Sequence, residues 1–159
     1  MSANRSAFTV ARCADDSRRA DILMLVHAAF AGLSPPSGAL RETVEDVAVR
    51  FAAGPVLIAQ AGDELLGSVY GAVKEDGLYL TRMAVRPDWQ KRGVGRALLA
   101  AAEAEARSLA LRRLTLRVRV NLPANRAYFK RAGFAVTGQG QDPGRPPYQA
   151  MERPVLSPA

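Results

Sequence analysis

The stretch Met-Ala-Val-Arg-Pro-Asp-Trp-Gln-Lys-Arg-Gly-Val-Gly-Arg, residues 83–96, decides the fold. Its first residues end an apolar run typical of a strand, and an alanine-rich segment of high helix propensity follows from Gly93 to about Leu109. The stretch therefore predicts a turn that leads from a strand into a helix. The first N–H groups of a helix have no intrahelical partners and lie at its positive dipole end, so they can bind a phosphate group.

Two glycines in the turn, Gly93 and Gly95, lack the Cβ atoms that would shield these amides. Three basic residues surround them: Lys91, Arg92 and Arg96. The two commoner phosphate loops do not match, because position 98 is Leu rather than the last Gly of Gly-x-Gly-x-x-Gly and no Gly-Lys-Ser/Thr is present. A Gly-x-Gly pair is also compatible with a helix start that only needs a tight turn. We predict that residues 90–95 hold the phosphates of a different kind of cofactor.

Apolar periodicity predicts the other elements of the chain. The predicted strands are residues 7–13, 55–61, 64–74, 78–85, 113–120, 134–137 and 148–155. The predicted helices are residues 17–32, 40–53, 93–109 and 123–133, and a loop rich in Gly and Pro covers residues 138–147. The short links at residues 62–63 and 75–77 require antiparallel neighbours, whereas the strands before and after the third helix must be parallel. We therefore predict a single domain over residues 1–159, of the α/β class with a mixed sheet of about seven strands.

The composition is that of an ordinary globular protein, with 48% hydrophobic and 23% charged residues in a length of 159. No apolar run approaches the ~20 residues of a membrane span, and we expect no secretory signal at the N-terminus. We therefore expect a cytoplasmic protein without a membrane partner. The net charge of +7 suits a polyanion, either nucleic acid or a phosphorylated small molecule, and it equally suits an ordinary solvated surface.

Single cysteine and histidine residues exclude several kinds of site. Cys13 is the only cysteine, so an intrachain disulfide and a multi-cysteine metal site are excluded. His27 is also alone and lies in an apolar helix, where a structural role is far commoner than metal ligation. We predict no metal site.

The phosphate turn resembles a motif of a known family. Residues 90–95, Gln-Lys-Arg-Gly-Val-Gly, are similar to the Gln/Arg-x-x-Gly-x-Gly/Ala loop of the GCN5-related N-acetyltransferases, the GNAT family. Residues 85–87 before the loop and 97–99 after it look like the flanks found in that family. The resemblance thus includes the loop, the end of the strand before it and the start of the helix after it.

The second half of the chain extends the resemblance. Asn121, Asn125 and the helical segment 126–134 look like the corresponding part of the family, which ends in a Gly-Phe pair. The predicted order of strand, two helices, three strands, helix, strand, helix and two strands also agrees with the family. The resemblance therefore covers nearly the whole chain, from residue 7 to residue 155.

The resemblance implies that acetyl-CoA or another acyl-CoA is the co-substrate. In this family the turn holds the pyrophosphate, and the pantetheine arm lies along the fourth strand, where the fourth and fifth strands splay apart. Strand groups that such a splay leaves unpaired can bind the amides of the arm. The residues expected to contact the cofactor are Met83, Ala84, Val85, Gln90, Lys91, Arg92, Gly93, Val94, Gly95, Arg96, Asn121, Asn125 and Tyr128. The backbone N–H of Met83 is also expected to polarise the thioester carbonyl during catalysis.

The resemblance also implies direct attack of a neutral amine on the thioester. A base is needed because an alkyl amine has a pKa of about 10.4. Many family members carry Glu at the position of Thr81, so we expect deprotonation to run through water, or through Glu75 or Asp76.

The acid that protonates the CoA thiolate departs from the family pattern as well. A tyrosine usually stands four residues before the glycine of Gly-Phe, whereas this chain has Phe129 there and Tyr128 one residue earlier. One step turns a helical side chain by about 100°, so Tyr128 reaches the sulfur only if the helix is rotated or offset. Otherwise Tyr128 is a packing residue, and Tyr148 is a weaker substitute.

The resemblance implies an acyl-CoA-dependent N-acyltransferase that transfers acetyl to a primary amine. The alternative is a GNAT-like module that binds acyl-CoA without transfer, since Thr81 and Phe129 stand where catalytic groups are expected. The acceptor is a small-molecule or peptide amine, shaped in this family by segments that correspond to residues 34–38 and 138–147. We expect no nucleic-acid partner, because no recognition helix or aromatic stacking strand is evident. The oligomeric state, monomer or homodimer, stays open.

Overall fold

A computed structural model of the chain describes residues 7–156. The helices are α1 (Arg19–Phe30), α2 (Val44–Ala53), α3 (Val94–Ser108) and α4 (Pro123–Arg131). The strands are β1 (Thr9–Arg12), β2 (Val56–Ala61), β3 (Glu64–Lys74), β4 (Gly77–Val85), β5 (Arg113–Arg119), β6 (Ala135–Gly140) and β7 (Tyr148–Pro154). Short 3₁₀ helices lie at Asp16–Arg18, Gly38–Arg41 and Pro87–Trp89.

The strands of the described residues form a mixed sheet in the order β1-β2-β3-β4-β5-β7-β6. The neighbours β4 and β5 are parallel, and the other neighbouring pairs are antiparallel. The predicted α/β class, the antiparallel meander of β2 to β4 and the parallel pair on either side of α3 are therefore confirmed.

Helices cover both faces of the sheet, because residues along the strands alternate between two apolar clusters. Helix α3 packs on one face, where the buried residues include Leu57, Leu78, Leu98, Ala102 and Leu114. Helices α1 and α2 pack on the other face, where the buried residues include Ile22, Val26, Val47, Ile58 and Tyr70. We call these the α3 face and the α1/α2 face.

Helix α2 begins later than predicted. We expected the helix to start near Leu40, but that residue belongs to a separate 3₁₀ helix and its side chain is 37% exposed. The helix starts after Thr43, whose hydroxyl accepts a hydrogen bond from the Asp46 amide while the Asp46 carboxylate accepts one from the Thr43 amide. This reciprocal capping box satisfies two amides and fixes the helix start.

Strand β6 is longer than predicted. The glycine-rich residues 138–140 were expected to belong to a loop, yet they pair with Tyr148, Gln149 and Ala150 of β7. A Cβ at Gly140 would lie 2.6 Å from the Tyr148 hydroxyl, so this glycine lets the ring lie against the neighbouring backbone. The ladder with β7 thus outweighs the low strand propensity of the segment.

Strands β4 and β5 pair only from Gly77 and Arg113 to Tyr79 and Thr115. Beyond these residues β4 stays paired with β3, and β5 stays paired with β7 as far as Arg119. The edges of β4 and β5 that face each other are therefore unpaired over the rest of their length. This separation confirms the splay that the resemblance implied.

A β-bulge in β4 accompanies the separation. The register of β3 against β4 shifts between Ser68 and Tyr70, so that one β3 residue faces both Arg82 and Met83. Arg82 has a φ of +54°, an uncommon conformation for a residue with a side chain. Such a bulge bends its strand and increases the local twist, and it lies in the part of β4 that does not pair with β5.

Candidate functional site

A cleft of about 540 Å³ lies where β4 and β5 separate. Residues 79–83 of β4 and 116–119 of β5 form two of its walls. The other walls include Ser37 and Gly38 before α2, Asn125 and Phe129 of α4, and Asp142 and Arg145 of the β6–β7 connection. The cleft therefore joins the gap in the sheet to both segments that the resemblance assigned to the acceptor.

The turn before α3 contains two residues in the left-handed conformation. Lys91 has a φ of +63° and Gly93, the N-cap residue, has a φ of +88°. The amide of Ala97 donates to the carbonyl of Gly93 at 3.0 Å. The amides of Val94, Gly95 and Arg96 come before this first hydrogen bond of the helix, so no helix carbonyl is available to them. They are the groups that the sequence assigned to a phosphate.

Packing on the strand side holds the turn. The Trp89 ring meets Phe8 edge to face, with 6.3 Å between the ring centroids, and the Arg92 guanidinium lies 4.9 Å from the Trp89 centroid. Arg86 binds Glu64 and also Asp88, and its hydrogen bonds lower the pKa of the Asp88 carboxyl. The position of the turn is therefore fixed while its own Gln and Lys side chains stay exposed.

Tyr128 lies against the first turn of α3. A Cβ at Gly95 would lie 2.5 Å from the Tyr128 hydroxyl oxygen and 3.9 Å from the Met83 sulfur, so only glycine allows this approach. Burial raises the pKa of Tyr128. Its ring meets Phe129 edge to face at 5.1 Å, and it is Phe129 that lines the cleft. Helix α4 thus directs Phe129 into the cleft and the Tyr128 hydroxyl toward the phosphate turn.

A buried carboxylate that the sequence did not reveal lies behind Thr81. The Thr81 hydroxyl accepts a hydrogen bond from Nη1 of Arg50 at 3.1 Å. Nη2 of the same arginine lies 3.6 Å from Oε2 of Glu42, which also accepts a bond of 2.6 Å from Nε of Arg82. The Glu42 side chain is only 9% exposed. Arg82, the left-handed residue of the bulge, is therefore bound to Glu42 in the segment just before α2.

Tyr70 adds a hydroxyl to this carboxylate cluster. Burial and then the charge of Glu42 raise the pKa of Tyr70 to about 12, and the Arg50 guanidinium lies 5.1 Å from the centroid of its ring. Within residues 7–156, neither the Tyr70 hydroxyl nor Oε1 of Glu42 has a hydrogen-bond partner. Two polar atoms of the core thus keep unused hydrogen-bonding capacity beside the bulge.

Several sequence candidates lie elsewhere. Glu75 and Asp76 both bind Arg113, with Asp76 at 2.8 Å, at the end of β4 that still pairs with β5. Neither residue lines the cleft. Asn121 donates to the carbonyl of Ser34 at 3.1 Å. Tyr148 does line the cleft, where its ring lies 4.2 Å from the Arg117 guanidinium.

The cleft carries positive charge. Five arginines line it, namely Arg50, Arg82, Arg117, Arg119 and Arg145. Glu42 binds two of these arginines, and Asp142 lies 3.5 Å from Arg117. The sequence could not place these arginines together, because they come from four separate elements or connections of the chain.

The described residues contain no group of three or more His, Cys, Asp or Glu side chains that could hold a metal ion. Cys13 is buried, and its thiol donates to the carbonyl of Asp15 at 3.2 Å. Nε2 of His27 lies 3.1 Å from the Glu42 carbonyl oxygen. In the part of the chain that the structure describes, no helix is both long and apolar enough to cross a membrane.

We predict that Glu42→Gln destabilises the protein by about 1–3 kcal/mol. Removing one partner of a fully buried ion pair costs about 3–5 kcal/mol, and the cost is lower here because Arg82 and Arg50 are 26% and 33% exposed. Glu45→Gln is the matched control, since Glu45 is exposed on the first turn of α2, three residues after Glu42. Urea unfolding measures both free energies, and equal losses in the two variants would contradict the role of Glu42.

The sequence was compared with known families and proteins. Residues 25–134 match the family model described as the acetyltransferase (GNAT) family. No curated protein sequence matches the chain.

Solved structures show the same fold. The ribosomal-protein-S18-alanine N-acetyltransferase from Escherichia coli has a TM-score of 0.77 at 20% identity, over 96% of this chain and 97% of that one. Ard1 from Thermoplasma volcanium has a TM-score of 0.81 at 17% identity, over 95% and 99%. The PaiA N-acetyltransferase from Thermoplasma acidophilum, solved in complex with coenzyme A, has a TM-score of 0.77 at 16% identity, over 93% and 99%.

Proposed function

Because the chain belongs to the acetyltransferase (GNAT) family, we propose that it transfers acetyl from acetyl-CoA, or acyl from a related thioester, to a primary amine. The observation that carries this proposal is the separation of β4 from β5 beside the glycine turn. The amides at the start of α3 follow directly in the chain from β4, whose unpaired edge borders the cleft. A long, amide-containing thioester with a phosphorylated end fits this arrangement.

The turn supplies the groups for the pyrophosphate. The amides of Val94, Gly95 and Arg96 lie at the positive end of a helix of 15 residues. The exposed side chains of Gln90, Lys91 and Arg92 surround the same position, and the two basic ones add charge.

The strand edges supply the groups for the pantetheine arm. Backbone groups of residues 83–85 lie beyond the last residue pair of β4 with β5 and can bind the amides of the arm. Asn125 lines the cleft at the start of α4, whereas Asn121 must leave the Ser34 carbonyl before it can contact the cofactor. The Met83 amide is assigned to the thioester oxygen, where it stabilises the negative charge that develops during attack.

We assign deprotonation of the amine to water. Thr81 occupies the position of the usual carboxylate, and Glu75 and Asp76 are bound to Arg113 outside the cleft. The excess of arginines in the cleft disfavours an ammonium ion there and so lowers the pKa of a bound amine. A neutral amine is thus more accessible in this cleft than in bulk water.

We assign protonation of the leaving thiolate to Tyr128. The neutral amine attacks the thioester carbonyl, the C–S bond breaks, and the thiolate takes the phenolic proton. The raised pKa of Tyr128 keeps this proton in place at neutral pH. A Cβ at Gly95 would meet both the Tyr128 hydroxyl and the Met83 sulfur, so the hydroxyl lies beside the proposed cofactor path.

Tyr128→Phe is expected to lower kcat at least tenfold with little change in the KM for acetyl-CoA, because it removes the proton and keeps the ring. Since burial raises the pKa of Tyr128 above its ordinary value of about 10, the midpoint of the loss of kcat that its ionisation causes should lie above pH 10. Steady-state kinetics over pH 7–11 measures both effects. An unchanged kcat in Tyr128→Phe, or a larger loss in Tyr148→Phe, would refute this assignment.

Gly95→Ala is expected to raise the Kd for acetyl-CoA at least tenfold. Its new Cβ would displace the Tyr128 hydroxyl and cover the amides of the turn. Gly138→Ala is the matched control, because a Cβ at that exposed position meets nothing within 4 Å. Calorimetric titration with acetyl-CoA distinguishes the two, and equal affinities would show that the α3 amides do not hold the cofactor.

Release of free thiol from acetyl-CoA in the presence of a panel of amines tests transfer itself. We expect amine-dependent release by the wild-type protein and a matching acetylated product in the mass spectrum. Tight binding of acetyl-CoA without turnover on any amine would instead favour a binding module. Thr81 and Phe129, which stand where catalytic groups are usual, are the observation that favours this second function.

A further inference from the structure

The arginines of the cleft are incompletely neutralised. Glu42 and Asp142 are the two carboxylates that contact this group of five guanidinium ions within the described residues. Arg119 binds the main-chain carbonyls of Pro35 and Pro36 instead, at 2.7 and 3.4 Å. Arg145 makes no ion pair in the part of the chain that the structure describes. The cleft therefore retains a net positive charge.

Arginines outside the cleft are arranged differently. Arg113 binds Glu75, Asp76 and Glu152, and Arg86 binds two carboxylates. Five further arginines are each paired with a carboxylate: Arg12, Arg18, Arg19, Arg107 and Arg153. The other arginines of the described residues make no ion pair, but they do not line the cleft, whereas the five arginines of the cleft surround one concave space.

The proposed CoA pyrophosphate does not account for this charge. Leu116 and Val118 belong to the cluster of the α3 face, so Arg117 and Arg119, which alternate with them, point to the α1/α2 face. Arg50 comes from α2, on that same face. The phosphate turn leads into α3 on the opposite side of the sheet. A pyrophosphate bound at the turn therefore does not neutralise these arginines.

Several of these guanidinium groups are held in place. A Cβ at the buried Gly38 would lie 2.5 Å from Nη1 of Arg145, so the glycine lets this guanidinium pack against the backbone. Arg117 stacks on Tyr148, and Arg119 is fixed by the two proline carbonyls. Positive groups that are already ordered lose little entropy when they bind an anion.

We propose that the amine acceptor is a small molecule that carries a carboxylate, which the arginines of the α1/α2 face bind. This inference rests on the proposed function, since it names the substrate class of the same cleft. Guanidinium groups bind carboxylates through paired hydrogen bonds, and Arg117 of β5 and Arg145 of the β6–β7 connection both line the cleft. The carboxylate is held on this face while the amine points into the gap between β4 and β5. A volume of about 540 Å³ is within the range of small-molecule sites.

Paired acceptors test the proposal. The rate of acetyl-CoA thiol release is measured for each common amino acid and for its α-carboxamide, and also for the pairs glutamate and glutamine, aspartate and asparagine. We expect the acid of the best pair to have at least a tenfold higher kcat/KM than its amide. An α-amine beside a neutral amide has a pKa of only about 7.7–8.0, so an α-carboxamide supplies more neutral amine than its parent acid. Amine ionisation alone would therefore favour the amide, and a preference for the acid cannot arise from it.

Variants locate the effect. Arg145→Gln and Arg117→Gln should each raise the KM for the acid at least tenfold, leave the KM for the amide and for acetyl-CoA unchanged, and so remove the preference. Arg112→Gln is the matched control, because it removes the same charge at an exposed position outside the cleft. A preference that survives both cleft variants would overturn the assignment.

The outcomes separate this inference from the proposed function. Turnover of amides or simple alkyl amines at rates equal to or above those of the acids would overturn the carboxylate site and leave acetyl transfer standing. Absence of turnover on every amine would reject acetyl transfer. Titration of the CoA-saturated protein with glutamate and with glutaminamide, which has no carboxylate, then decides the carboxylate site by itself, because equal or absent binding of the two overturns it.

Discussion

Two parallel strands begin to pair at Gly77 and Arg113, stop two residues later, and leave a gap around which the proposed functional groups lie. The part of β4 that borders this gap contains the bulge at Arg82, whose left-handed backbone is held through its side chain by Glu42. Backbone strain of this kind persists only where surrounding contacts determine it. The ion pair between the bulge and the segment before α2 therefore fixes the geometry of the cleft as well as adding stability.

The sheet separates two kinds of electrostatic attraction for anions. On the α3 side the attraction comes from backbone amides at a helix start, which glycines leave accessible. On the α1/α2 side it comes from guanidinium groups on side chains. Amide dipoles lose no charge with pH, and arginine stays protonated throughout the physiological range. A cofactor and an anionic acceptor can thus be attracted to opposite faces without competing for the same groups.

Local patterns predicted much of the fold. The short links of the meander, the alanine-rich α3 and the strand that precedes it gave the correct element order and the parallel pair. Nonlocal contacts were beyond such patterns, since Glu42 meets Arg82 across forty residues of chain. Tyr128 illustrates the same limit, because its hydroxyl meets Gly95 of α3, which lies more than thirty residues away in the chain. Residues 138–140 show that pairing with β7 outweighs a composition typical of loops.

The short parallel ladder also has a mechanical consequence. Three residue pairs join the block of β1 to β4 to the block of β5 to β7, so their relative position depends on α3, which packs across both. An extended molecule that bonds to both free edges acts as a temporary strand between the blocks. The sheet is then stiffer in the complex than in the free chain, and it loses this additional strand each time the molecule dissociates.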